Sequence, residues 1–196
     1  MSLILVISGP AAVGKTTLCD RLISDFGGSV CRLITATTRM PRTSEKNGVD
    51  YYFLKEAEFS EKLHQNCFLE YEEIHGNKYG ILKDTLLSNN YEEKDILLNI
   101  DVNGTASLKQ FCDANPSLKD RVKTIFIKPK SIDELRKRIR ERGSESEQQI
   151  EIRLANAKKE ILREEDFDFV LVSSDRESDY SEVKKIYLDL KNTFKH

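Results

Sequence analysis

Four cysteines are all that the 196-residue chain carries, and Cys19, Cys31, Cys67 and Cys112 lie too far apart to form a CxxC pair. That spacing suggests neither a zinc site nor a thioredoxin-like motif. Histidine is scarcer still: His64, His75 and His196 have no second ligand near them in sequence. An excess of one charge is also missing. The 31 Lys and Arg oppose 33 Asp and Glu, for a formal net charge of -2, which argues against a general nucleic-acid coat or a polybasic membrane binder. The apolar run Leu3 to Ile7 stops at Ser8-Gly9, and no stretch approaches the ~18 residues of a membrane span. The N-terminus has no basic region of the signal-peptide kind. The expectation is a reduced, cytoplasmic protein with neither nucleic acid nor membrane as partner.

What is present is enough apolar material, 39% of residues, for one core, and at ~150 residues per domain one domain is expected. Leu3-Ile4-Leu5-Val6-Ile7 is continuous and β-branched-rich, as in a buried parallel strand. Lys15 to Asp25 then carries Leu18, Leu22 and Ile23 at helical spacing, and Gly27-Gly28 ends it. Further buried strands are expected at Ile96 to Ile100, Val122 to Ile127 and Phe169 to Val172. Helical patterns lie around Ala106 to Phe111, Ile132 to Arg142, Gln148 to Leu162 and Tyr180 to Phe194. Alternating strands and helices predict an α/β fold with a parallel sheet core flanked by helices. Residues 35–81 read differently, as short strands and hairpins in a smaller mixed β lobe inserted into that core.

Gly9-Pro10-Ala11-Ala12-Val13-Gly14-Lys15-Thr16 fits GxxxxGK followed by Ser or Thr, between a strand and a helix. Glycines let backbone N–H groups curl around phosphate oxygens, and the helix points its positive dipole end at them. Lys15 supplies a point charge, and the Thr16 hydroxyl can ligate Mg²⁺. Such a loop defines a phosphate-binding fold without defining the reaction. In the insert, Arg39 and Arg42 lie three apart, Tyr51 follows nine later, and Tyr79 lies beyond a hairpin. Guanidinium groups can fork onto phosphate oxygens and tyrosine adds a neutral hydroxyl donor, so this too suits an anion. A second basic cluster runs from Arg136 to Arg142. Arg138 and Arg142, at i and i+4, share one helix face and repel each other until an anion lies over them.

At this point the chain resembles the guanylate kinase family along essentially its whole length. The resemblance rests on the phosphate loop, the Thr37 to Phe53 block (TTRMPRTSEKNGVDYYF), Phe68 to Gly80 (FLEYEEIHGNKYG), Ile100 to Gly104 (IDVNG) and Pro129 to Gly143 (PKSIDELRKRIRERG). It implies a P-loop core of about residues 1–34, 82–131 and 157–196, a GMP-binding lobe of about 35–81 and a helical lid of about 132–156. It implies transfer of the γ-phosphoryl group of Mg-ATP to GMP. Gly9, Pro10, Ala11, Ala12, Val13, Gly14, Lys15, Thr16 and Thr17 would bind ATP. Arg39, Arg42, Tyr51 and Tyr79 would hold the GMP phosphate, and Glu45 would orient the arginines. Glu70 would accept the adjacent N1–H and N2–H donors of guanine, a pair adenine lacks. Thr35 would touch the base, and Asp101 would serve substrate and metal beside Thr16. Arg138, Arg142 and Arg153 would close over the ATP phosphates.

The chain departs from the family pattern at four places. Ala11-Ala12 replace Ser-Gly, and a Cβ at position 12 is expected to require φ < 0 there. Asn99 stands where the family has an acid, Ile81 where a Ser or Thr touches guanine, and Ser173 where Asn is common. Two other readings remain open on the sequence: a related P-loop kinase of another phosphorylated acceptor such as a ribose phosphate, and a phosphopeptide-binding module of the same fold.

Overall fold

A strand covered on both faces has no polar side to show, and Ile4–Ser8 (β1) is such a strand. All five of its residues are buried in the computed structural model, which describes residues 2–74, 76–87, 94–141 and 146–193. The chain continues through α1 (Lys15–Phe26), β2 (Val30–Arg32), β3 (Ala36–Thr37), β4 (Tyr52–Phe53), α2 (Glu56–His64), β5 (Phe68–Ile74), β6 (Asn77–Leu82) and α3 (Lys83–Leu87). It ends with β7 (Asp95–Asn99), α4 (Val102–Asp113), β8 (Val122–Lys128), α5 (Ile132–Glu141), α6 (Glu147–Ile161), β9 (Phe169–Val172) and α7 (Arg176–Thr193).

The main sheet has the order β2-β7-β1-β8-β9, and every pairing in it is parallel. Alternation along β1 divides the core. Leu3, Leu5 and Ile7 join α1 and α5 to α7 on one face. Ile4 and Val6 join Leu108 and Cys112 of α4 on the other. Asp95 fastens the base of the sheet. Its buried carboxylate accepts from the Leu3 amide at 2.9 Å, the Tyr187 hydroxyl at 2.8 Å and Lys191 Nζ at 2.5 Å. Those three donors satisfy a charge that would be costly to bury alone.

The second sheet, β4-β3-β6-β5, pairs β5 with β6 as an antiparallel hairpin. Its small core is Ala36, Phe59 and Phe68, with the two rings stacked at 4.3 Å, a contact worth about 0.5–1.5 kcal/mol beyond its buried area. Phe59 comes from α2, a nine-residue helix that the sequence reading of the insert as strands and hairpins missed. β2 was missed as well, because three residues with only Val30 buried show no period. Conversely, α4 begins earlier than its apolar spacing suggests, because Asp101 caps it by accepting from the Gly104 amide at 2.7 Å. Where β5 turns into β6, His75 lies outside the described residues. No helix among the described residues is long and apolar enough to cross a membrane.

Candidate active site

The phosphate loop leaves β1 at the carboxyl end of the central strand, between the ends of β7 and β8. Ligands of open α/β sheets bind in such a crevice. Gly9 turns the chain with φ +130, and a Cβ there would stand 3.2 Å from the backbone N and C of Ile127 and closer still to its carbonyl oxygen. Gly14 caps α1 in the left-handed region, φ 105. Lys15 Nζ curls over the loop and donates to the carbonyls of Gly9 at 2.5 Å and Pro10 at 2.9 Å.

Ala12 overturns the expectation of a negative φ: it has φ 67, a conformation that favours glycine. The loop therefore keeps its curl despite the Cβ, at a cost of about 1–2 kcal/mol. Glycine's greater freedom when unfolded returns about 0.4–1 kcal/mol of that. Ala12→Gly is expected to raise the melting temperature by about 1–3 °C. A fall on thermal unfolding would mean that the packing of the Ala12 methyl against the core outweighs the strain.

A cleft of about 1800 Å³ joins this loop to the second sheet, well above the ~300–1,000 Å³ of a single small-ligand pocket. Gly9, Ala11, Ala12, Gly14, Lys15, Thr16 and Thr17 line it from the core. Thr35, Glu45, Tyr51, Glu70 and Tyr79 line it from the second sheet, joined by Asp101 and Arg153. Asn99, at the end of β7, donates through Nδ2 to the Thr16 hydroxyl at 3.1 Å.

One wall is rich in acceptors. Glu70 is partly buried on β5, opposite Ile81 of β6. Burial, then the charge of Asp101, then that of Glu72, push its carboxyl up to about 7. Glu72 points into the same cleft and is raised by burial and by Asp101, with Lys15 and Arg153 pulling the other way. Glu160 of α6 is likewise raised by burial. Sequence reasoning missed Glu72, although its i+2 spacing from Glu70 on a strand was a signal that both share a face. Ile81, 1% exposed, offers the cleft no hydrogen-bond donor in its side chain.

The opposite end is rich in donors. Arg39 makes a forked pair with Glu45, at 2.9 and 3.0 Å, and Glu45 also accepts from the Arg42 amide at 2.7 Å. The Arg39 side chain and then the Arg42 amide hold the Glu45 carboxyl below its ordinary range. The Arg39 guanidinium lies 5.5 Å from the centre of the Tyr51 ring, itself edge-on to Tyr79 at 6.1 Å. The Arg42 side chain is exposed, and neither Arg39 nor Arg42 lines the cleft directly.

The second basic cluster divides by helix face. Arg136 and Arg140 pair with Glu151 and Glu147, which tie α5 to α6. Arg138 pairs with Glu134 and reaches the end of β9, donating to Ser173 Oγ at 3.0 Å and to the Ser174 carbonyl at 3.4 Å. Ser173 in turn donates to the buried carboxylate of Asp179 at 2.8 Å, and Asp179 also accepts from the Ser174 amide at 2.7 Å. Sequence reasoning did not find Asp179, which is linked to Arg138 through Ser173 and Ser174. Arg142 lies outside the described residues.

A strand–glycine loop–helix cradle at the centre of a parallel sheet, with an anion-suited lobe and Arg153 and Lys159 of α6 around one cleft, defines a protein of the P-loop nucleotide-binding class. The family model "Guanylate kinase" matches residues 1–189. The guanylate kinase of Porphyromonas gingivalis is 38% identical over 94% of this chain and 96% of its own, and that of Clostridioides difficile is 35% identical over 97% and 89%. The crystal structure of the guanylate kinase from Anaplasma phagocytophilum superposes with a TM-score of 0.65 at 30% identity, covering 94% of this chain and 84% of that one. The chain belongs to the guanylate kinase family.

Proposed function

We propose that this protein transfers the γ-phosphoryl group of Mg-ATP to GMP, and to dGMP, giving ADP and GDP or dGDP. The observation that carries the reading is a single cleft with the phosphate-loop cradle at one end and the Glu70 carboxylate on its other wall. Family membership supports it. In this reading the loop amides and Lys15 bind the ATP phosphates. Arg39, steadied by Glu45, acts with Arg42, Tyr51 and Tyr79 on the GMP phosphate, while Glu70 and Thr35 face the base. The acceptor phosphate oxygen is already anionic near pH 7, so the reaction needs no strong general base. Catalysis is positioning plus charge neutralisation. Residues 132–156 serve as a lid that brings Arg138, Arg142 and Arg153 to the transferred group and excludes water.

The donors present fit Mg²⁺. Asn99 donates to the Thr16 hydroxyl and so occupies one lone pair of Oγ1, which leaves the second for a cation. Mg²⁺ asks for few protein ligands beyond phosphate oxygens and water. Thr16, with Asp101 nearby, would hold the ion, which neutralises charge on the ATP phosphates. The four free thiols agree with the reducing cytoplasm expected from the sequence.

The test is an ADP-release assay with Mg-ATP and, in turn, GMP, dGMP, AMP, UMP and ribose 1,5-bisphosphate. Release that depends on GMP or dGMP is the expected result. Phosphorylation of ribose bisphosphate alone would replace the substrate assignment, and GMP binding without transfer would make the fold a binding module.

A further inference from the structure

The carboxylate of Glu70 is seated by a neighbour that brings no side chain to the cleft. Strand β5 packs on the first turns of α4, where Asp101 accepts from the Gly104 amide at 2.7 Å. A Cβ built on buried Gly104 would stand 2.7 Å from Glu70 Oε1 and closer still to Oε2 and Cδ. Gly104 lies inside a helix without a positive φ, so backbone conformation does not call for glycine here. Glycine is also one of the poorest helix formers. What it supplies is space: the Glu70 carboxylate occupies the volume in which a side chain at 104 would begin.

We propose that Gly104 is a positioning residue for base specificity, its missing side chain forming the seat that lays the Glu70 carboxylate against the first turns of α4, where it faces the N–H edge of guanine. The proposal rests on the reading of Glu70 as the base reader. Any side chain at 104 drives that carboxylate off the helix and into the volume the base needs. The phosphate loop is built on β1 and α1 and not on this seat, so GMP is expected to lose far more than ATP.

The test is calorimetric titration of GMP and, separately, of ATP into four full-length proteins: wild type, Gly104→Ala, Glu70→Ala and the double variant. Gly104→Ala is expected to weaken GMP about 10- to 100-fold and to leave ATP within about threefold. In the Glu70→Ala background, the same Gly104→Ala change is expected to leave GMP affinity unaltered, because nothing is left to displace, and to hold or raise the melting temperature by a few °C, because alanine is the better helix former. Unchanged GMP affinity in Gly104→Ala, an equal loss of GMP and ATP, or an undiminished effect in the Glu70→Ala background would each overturn the proposal. Should Gly104→Ala fail to fold, the double variant still decides. If it folds and matches Glu70→Ala, the seat is supported; if it too fails, glycine is needed for something other than Glu70. A Glu70→Ala protein that keeps both GMP affinity and preference over AMP would remove the base-reader reading itself, and the seat with it.

Discussion

Arg138→Ala is expected to lower kcat by about 10³-fold or more while leaving KM for GMP within a few-fold. An arginine that meets charge only as the phosphoryl group moves acts on the transition state rather than on ground-state binding, and such groups are worth about 10³–10⁵ in rate. The structure separates this arginine from its neighbours. Arg136 and Arg140 are committed to α6 through Glu151 and Glu147. Arg138 instead lies at the carboxyl end of β9, held by Glu134 and Ser173, with buried Asp179 behind the serine. Arg138→Lys is expected to restore little, because an ammonium cannot make the fork that a guanidinium makes to phosphate oxygens. Steady-state kinetics with GMP and ATP varied separately would decide. A fall of less than about tenfold would leave Arg138 as a tie between α5 and β9 with no part in the transfer.

Glu70→Gln is expected to cut kcat/KM for GMP by about 10²- to 10³-fold and to collapse the preference for GMP over AMP, because an amide cannot accept both guanine donors and a mispaired buried polar group is penalised. A pH signature accompanies the loss. The accepting form is the carboxylate, and burial together with Asp101 and Glu72 raises this carboxyl to about 7. Wild-type kcat/KM for GMP should therefore climb between about pH 6 and 8, and the glutamine variant should be flat across that window. Stability moves the opposite way. With its carboxyl raised in the folded state, the native protein binds more protons at Glu70 than the unfolded chain does between about pH 4.5 and 7. Stability is therefore lost as pH rises through that window, by at most about 3 kcal/mol. Glu70→Gln should consequently melt higher than wild type at about pH 8 while being the poorer enzyme. A variant that melts lower there would show that the Glu70 carboxylate is well solvated in the native state.

Several residues were legible in the chain because their signal is local. Lys15 and Thr16 stand at fixed offsets in a loop whose glycines are needed for backbone curl, and the pattern of Leu3 to Ile7 can be satisfied only by a strand buried on both sides. Arg39, Glu45, Tyr51 and Tyr79 were grouped by the spacing and resemblance of two blocks, and the structure joins them in a chain of contacts. The separation of Arg138 from Arg136 and Arg140 followed from helical periodicity.

Other features had no local signal. The φ of Ala12 belongs to the curl by which the loop leaves β1 and enters α1, and no neighbouring residue in the sequence announces it. Glu70 becomes hard to ionise only because β5 packs on α4 and brings Asp101 beside it, thirty-one positions along the chain by the numbering. Gly104 reads from sequence as a poor helix former, and only the approach of Glu70 gives it a purpose. Asp179 reads as one more acid at the start of α7 until Ser173 links it to Arg138. The sequence by itself determined the α/β core, the phosphate loop and the arginine-bearing insert, since these depend on periodicity and on spacings of a few residues. The tertiary structure alone decided which acids crowd one another, which arginine reaches β9 and which glycine makes room, because proximity across strands and helices is not written in neighbouring positions.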